Sequence, residues 1–229
     1  MRNVAAILFT GGLGFLLLVI ASQLGLGEPP MRVGQGILDV AATEVGAANI
    51  VTSVLLAYRG LDTLGELSIL FAAATAAGLV LGQRRASAAP DPEAGFILRA
   101  GADLLFPLLL VVGFYIILHG HLTPGGGFQG GVILAAAFFI GVLARPAESL
   151  DHTAIVVIEG LAGAAFIGIG LWALLADGEF LKPMLGTGTL GTLVSAGTLP
   201  LLSLAIGLKV GSELAGLMTS LSGTEAREP

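Results

Sequence analysis

Leu118-His-Gly-His-Leu-Thr-Pro-Gly-Gly-Gly-Phe-Gln-Gly-Gly131 joins two long apolar runs and cannot itself continue as regular helix. Gly125, Gly126 and Gly127 follow Pro124, and neither residue type sustains a helix interior. Two of the chain's three histidines, His119 and His121, stand just upstream, and Phe128 and the amide of Gln129 just downstream. A broken, polar segment between apolar walls reads as backbone beside a membrane cavity, where protein or water can satisfy its polar groups. It is not a phosphate loop, because no Gly-Lys-Ser/Thr ending follows and no strand precedes it. His119 and His121 flank Gly120 too closely to share a helical face as a ligand pair, so no metal site is expected. Two readings of these imidazoles stay open: hydrogen bonding to loop carbonyls, or titration that passes or gates protons.

The rest of the chain is the apolar wall. Hydrophobic residues make up 55% of the sequence and charged residues 11%, which excludes a soluble surface and implies an all-α, polytopic integral membrane protein. Cysteine is absent, so disulfides, thiolate metal sites and all-cysteine iron–sulfur clusters are excluded, and no cofactor is expected. Any redox chemistry would belong to a partner. The net charge of −6 is spread over loops and tail, with no basic patch to suggest nucleic acid.

In chain order, Val4–Ser22 is an apolar run of spanning length, read as a retained helix because it is long for a signal peptide. The run from about Gly36 to Tyr58 is either a spanning helix with a polar face or two half-helices broken near Gly46. A third run, Thr63 to Leu81, carries Glu66 one turn inside. Arg84, Arg85, Pro90 and Pro92 mark a linker over 83–98 between a front part, 1–82, and a back part, 99–229. The back part has four runs, about Gly101–Leu118, Phe128–Leu143, Ala154–Leu175 and Thr187–Val210, the last with Pro200 inside it. The expectation is therefore about seven spanning helices, three plus four. With the N-terminus outside, the inner loops receive Arg32, Arg84, Arg85, Arg99, Arg145, Lys209 and Arg227, and only Arg2, Arg59 and Lys182 stay outside. That asymmetry favours N-out and C-in, with the His119–Gly127 joint on the outer face.

Carboxylates inside the spans carry the functional reading. An ionised acid at mid-bilayer costs roughly 2.5–3.5 kcal/mol even on the mild insertion scale, so each needs a partner, water or a proton. Asp39, Glu44, Glu66, Asp103 and Glu159 lie within or near the expected spans. Asp103 fits the first turn of its helix, and Asp39 fits an interfacial position. Arg59, Asp62 and Glu66 have the spacing of a boundary salt-bridge cluster. Glu44, and Glu159 with no basic residue within a helical turn, read as groups facing a cavity or a neighbouring subunit. Asn49, Thr52 and Ser53 fall on one helical face. They read as hydrogen-bonding glue between helices, or as oxygen donors for a transient sodium-like cation.

His119-Gly120-His121, Pro124-Gly125-Gly126-Gly127-Phe128-Gln129-Gly130-Gly131 and Gly197-Thr198-Leu199-Pro200 through Lys209-Val210 resemble the B subunit of Mrp-type multisubunit sodium/proton antiporters. The homologous subunit of membrane-bound hydrogenases shares the pattern, and the likeness covers about residues 95–213. It departs at Leu122-Thr123, where the family usually carries asparagine or serine. Thr43-Glu44 through Thr52 and Tyr58-Arg59-Gly60-Leu61-Asp62-Thr63-Leu64-Gly65-Glu66 resemble the C-terminal portion of the antiporter A subunit, which in hydrogenase-type complexes is a separate small subunit. The chain thus looks like a fusion of two neighbouring small subunits, and without a large antiporter-like segment in front it leans towards a respiratory complex. The resemblance implies the prokaryotic cell membrane as location, other subunits of such an assembly as partners, and sodium ions and protons as cargo. It places Glu44, Arg59, Asp62 and Glu66 at motif positions.

The expected function is a non-redox membrane subunit of a cation/proton-translocating assembly, neither an enzyme nor a metal protein. Glu44, Asp62, Glu66, His119, His121, Glu159, Asp39, Asn49, Thr52 and Arg59 are its candidate ion-path residues. Pro124, Gly125, Gly126, Gly127, Phe128 and Gln129 form its structural motif. A structural adaptor that seals and positions the true transporting subunits is the competing reading. A free-standing transporter fits poorly, because the front and back parts share no evident repeat.

Overall fold

The computed structural model describes residues 2–23, 32–85, 94–145 and 150–222, and among these there are helices and loops but no strands. Half of the expected 83–98 linker, 86–93, lies outside the described residues. The chain forms two compact units, 1–36 and 37–229. The first holds α1 (Arg2–Gln23), whose apolar side chains, such as Ile7, Phe9 and Leu18, are exposed. The second begins within α2 (Arg32–Val45) and takes in α3 (Ile50–Ser53), a π-helical turn (Val54–Tyr58), α4 (Gly60–Arg85), α5 (Phe96–Leu118), α6 (Gly127–Ala144), α7 (His152–Asp177) and α8 (Leu199–Ser222).

Five helices have the length and hydropathy of a membrane span: α4, α5, α6, α7 and α8. Gly34–Val45 and Ile50–Tyr58, bent by 90° at the break between them, make a sixth if taken together. The apolar stretch of α1, Ile7–Gln23, is shorter. The protein is a multi-pass membrane protein, and the expected count of about seven holds approximately.

α6 and α8 are the centre of the second unit. They are 44% and 50% buried, against 11% for α4 and 17% for α5 and α7. Their crossing explains the glycines. A Cβ on Gly127 would lie 2.5 Å from the Ser203 carbonyl oxygen, and one on Gly131 would lie 2.8 Å from that of Gly207. Gly207 and Gly211 face Gly127 and Gly131 in return. Small residues spaced by four on both helices let the backbones touch, the usual device for joining helices where lipid removes the hydrophobic drive. Leu199, Leu202, Ile206 and Val210 of α8 then carry the apolar core against Phe166 of α7 and Leu67 of α4.

Where the helices break, local chemistry accounts for it. Gly46 adopts φ +77° after α2, and the Asn49 side chain restarts the helix by accepting from the Val51 and Thr52 amides at 3.1 and 3.4 Å. Of the two readings of this run, the structure shows the broken one. Val54–Tyr58 then widens into a π turn, and the Thr63 hydroxyl donates to the Leu55 carbonyl at 2.7 Å. Asp151 caps α7 by accepting from Thr153 and Ala154, and Gly178 ends it at φ +78°.

The expected helix from Thr187 to Val210 is corrected at its front. Residues 178–198 are an irregular loop, and α8 starts only at Leu199. Gly186, Gly188, Gly191 and Gly197 all take positive φ, which interrupts the apolar run that hydropathy reads as one span. Pro200 consequently sits in the first turn of α8, where its missing N–H costs nothing, rather than inside a span.

Candidate functional site

Three irregular segments meet at one end of the α6–α8 pair: the break at 46–49, the joint at 119–126 and the loop at 178–198. Asn49 holds the first two together. Its Nδ2 donates to the carbonyls of Gly120 and Thr123 at 2.8 and 2.9 Å, and its amide donates to the His121 carbonyl at 3.0 Å. The Thr52 hydroxyl donates to the same Gly120 carbonyl at 2.6 Å. The third segment closes over Gly46, where a Cβ would lie 2.5 Å from the Thr187 carbonyl oxygen. Leu181, Ser195, Ala196 and Thr198 of that loop are buried, so its two ends are packed into the protein, while 185–194 are exposed.

His121 is fully buried between these segments. Its Nε2 lies 3.4 Å from the Thr192 carbonyl, and its Nδ1 has no partner among the described residues. Burial pushes its pKa below the ordinary imidazole value; positive charge on His119 works in the same direction, and the Thr192 carbonyl opposes it. His119 is half-buried, with Nδ1 3.1 Å from the Tyr115 carbonyl and its ring stacked on Tyr115 at 4.1 Å. Pro124, Gly125 and Gly126 carry the chain from this pair into α6, with Gly125 and Gly126 at φ +155° and +132°, and Gly127 opens the helix. Phe128 packs against the core cluster, and Gln129 is exposed.

The acids of the front helices lie on the surface of this unit. Glu44 accepts a 2.6 Å hydrogen bond from the Tyr58 hydroxyl across the broken helix. Arg59 and Asp62 pair at 2.6 Å, both more than half exposed. Asp39 on α2 and Glu66 on α4 are exposed. Asp103 pairs with Arg145 at 2.6 Å, tying α5 to the residue after α6.

Glu159 has a different setting, which its own helix does not reveal. Lys209 of α8 reaches it at 3.3 Å and also reaches Glu213, one turn further along α8, at 3.3 Å. The three side chains are 19%, 12% and 3% exposed for Glu159, Lys209 and Glu213. Phe71 of α4 lies under the ammonium, 4.9 Å from it. Glu159 and Glu213 line a cleft of about 330 Å³ between α4, α7 and α8, and His152 lies on the same cleft. Sequence reasoning missed Lys209 and Glu213 as site residues. Their i, i+4 spacing on an apolar helix was the available signal. Among the described residues, no three acidic or histidine side chains are grouped as a metal site.

A family model described as "Domain related to MnhB subunit of Na+/H+ antiporter" matches residues 97–216. An uncharacterized protein of Methanocaldococcus jannaschii is 30% identical over 217 residues, covering 83% of this chain and 82% of its own. A Rhizobium meliloti protein named as the A/B component of a K(+)/H(+) antiporter is 26% identical over 75% of this chain, which spans only 20% of that longer protein. A Staphylococcus aureus protein named as the antiporter component mnhB2 is 30% identical over 57% of this chain and 96% of its own length. Among solved structures, a chain of the membrane-bound sulfane sulfur reductase, an archaeal respiratory membrane complex, superposes with TM-score 0.79 at 38% identity. That match covers 96% of this chain and 97% of the other. A chain of the Mrp complex from Dietzia sp. DQ12-45-1b superposes with TM-score 0.78 at 26% identity, over all of this chain and 27% of the other.

Proposed function

The chain belongs to the family of domains related to the MnhB subunit of Na+/H+ antiporters, and from that membership we propose that it is a non-redox membrane subunit of a multisubunit cation/proton antiporter module. The near end-to-end match to a chain of the sulfane sulfur reductase supports a respiratory assembly as its setting. The Mrp match supports the antiporter module within such an assembly. The Rhizobium meliloti relative, named as an A/B component, aligns with three quarters of the chain, which supports reading residues 1–82 as an A-type segment fused ahead of a B-type domain. Sodium ions and protons are the proposed cargo, with the N-terminus outside and the C-terminus in the cytoplasm.

In this reading the ion path draws on Glu44, Asp62, Glu66, Asp39 and Arg59 of the front helices and on His119 and His121 of the joint. Glu159 contributes from α7. Asn49 and Thr52 spend their donors on the joint's carbonyls, so their part is to hold the broken backbones in register. The observation that carries the reading is the cleft beside Glu159 and Glu213, because carboxylates that border open space can exchange ions. Glu66→Ala in the assembled complex tests it: sodium-dependent proton transport should fall, and transport at the wild-type rate would remove Glu66 from the path.

One observation favours the adaptor reading instead. The Asn49 clamp hydrogen-bonds the front part to the joint of the back part, as a positioning element would. If variants of every front-helix acid transport normally while Asn49→Ala abolishes assembly, the chain is an adaptor.

A further inference from the structure

Lys209, Glu159 and Glu213 form a charge cluster that does not balance. One ammonium stands 3.3 Å from a carboxylate oxygen of each acid, so with both acids ionised the three side chains carry a net negative charge. Lys209 lies about 15 Å along α8 from its start at Leu199, well inside the span. An uncompensated charge at that depth is expensive. Glu213 bears the mark of what is missing: its side chain is 3% exposed, and its Oε1 has no hydrogen-bond partner among the described residues.

Among the described residues that line the cleft there is no lysine or arginine. α7 presents Glu159 and, two turns earlier, His152; α4 presents Phe71, Ala74 and Thr75. α6 contains no titratable side chain, and on α5 the ion pair of Asp103 is with Arg145. Tyr58 of the π turn is bonded to Glu44. Two charges of one sign therefore share a single counter-charge inside the protein.

We propose that the Lys209–Glu159–Glu213 cluster is a proton-binding site, holding one proton between its two carboxyls, and that the cleft beside it carries that proton to the membrane face at His152. A proton restores neutrality without new ligands. A sodium ion would need several oxygens, and beyond the two acids the described residues of the cleft offer only the Thr75 hydroxyl among side-chain oxygens. The ammonium already occupies the space between the carboxylates. Loading is a proton transfer alone. A hydronium ion entering the cleft beside His152 gives a proton to the Glu213 carboxylate, leaving water, and a carboxyl O–H forms. About 10 Å of α7 separates His152 from Glu159, which one or more water molecules must span.

The inference rests on the antiporter-module reading only for the use made of the proton. The test uses the purified intact assembly, as wild type and with Glu213→Gln and Glu159→Gln. Infrared difference spectra taken across a pH titration follow the carbonyl stretch of a protonated carboxyl, and proteoliposomes follow sodium-driven proton movement. Wild type should show a carboxyl band insensitive to sodium that Glu213→Gln removes or shifts, with proton movement slowed on the order of a hundredfold. A band unchanged in both variants overturns the site. A band displaced by sodium overturns the choice of a proton. Loss of the band with transport intact overturns its place on the path. If wild type moves no ions but Glu213→Gln still abolishes the band, the proton site stands and the module reading falls.

Discussion

Asn49 and Gly120 join two breaks that lie far apart in sequence: the Nδ2 of Asn49 donates to the Gly120 carbonyl at 2.8 Å, in the turn between the two histidines. The same side chain caps α3 with its Oδ1, so one residue serves both a helix start and a helix end. Removing it should therefore cost more than an ordinary cap. Asn49→Ala loses the cap and the bond to the Thr123 carbonyl, while the Gly120 carbonyl keeps the Thr52 hydroxyl, about 1–3 kcal/mol together. Asn49→Asp keeps the cap but has no N–H to give. Thermal unfolding of the purified assembly should rank wild type above Asp and Asp above Ala; equal midpoints would mean the clamp holds nothing.

His121 makes stability depend on pH. Its pKa in the folded protein is below 6.5, so between that lowered value and 6.5 the unfolded chain binds the extra proton. The stabilising contribution is complete above about pH 6.5 and is lost as pH falls through the lowered folded value. His121→Gln should flatten this acid limb. Unfolding midpoints of both proteins from neutral pH downwards check it, and parallel curves would refute the assignment.

The α6–α8 crossing predicts a steep cost for a single methyl group. Gly131→Ala places a Cβ 2.8 Å from the Gly207 carbonyl oxygen and 2.9 Å from Val210 Cβ, forcing the helices apart at about 1–3 kcal/mol. Gly160→Ala on α7 meets nothing within 4 Å and should be harmless. A detergent stability assay on the pair decides, and equal behaviour would mean the crossing tolerates space.

Lys209→Met leaves two acids facing each other with no cation between them. Breaking a buried pair from one side costs about 3–5 kcal/mol, whereas removing every charge is often close to neutral. The triple change Lys209→Met, Glu159→Gln, Glu213→Gln should accordingly recover most of the folded yield lost in the single variant. Yield and monodispersity after purification report this, and a triple variant as poor as the single one would count against the electrostatic account.

Composition and run lengths were enough to read the membrane class, and Gly46 marked one of the two readings of its run, the broken one. The family was legible because the Pro124–Gly131 motif is built from glycines that a close helix crossing and two positive φ values require, a constraint few other sequences share. Hydropathy failed at 187–198 because a loop that is exposed over 187–194 and buried at Ser195, Ala196 and Thr198 has the same apolar composition as a span; only the recurrent glycines distinguish it. The partner of Glu159 was hidden for a related reason. Periodicity searches one helix at a time, and its partner Lys209 comes from the neighbouring helix fifty residues on.

The loop over Gly46 also dictates an order of events during synthesis. Residues near 187 must cover a break made some 140 residues earlier, so the amino-terminal half-helices wait without that cover until most of the polypeptide has left the ribosome. Maturation of this protein is thus completed from its carboxyl-terminal third backwards. A nascent chain arrested before Thr187 would present its bent helix without this cover to the insertion machinery.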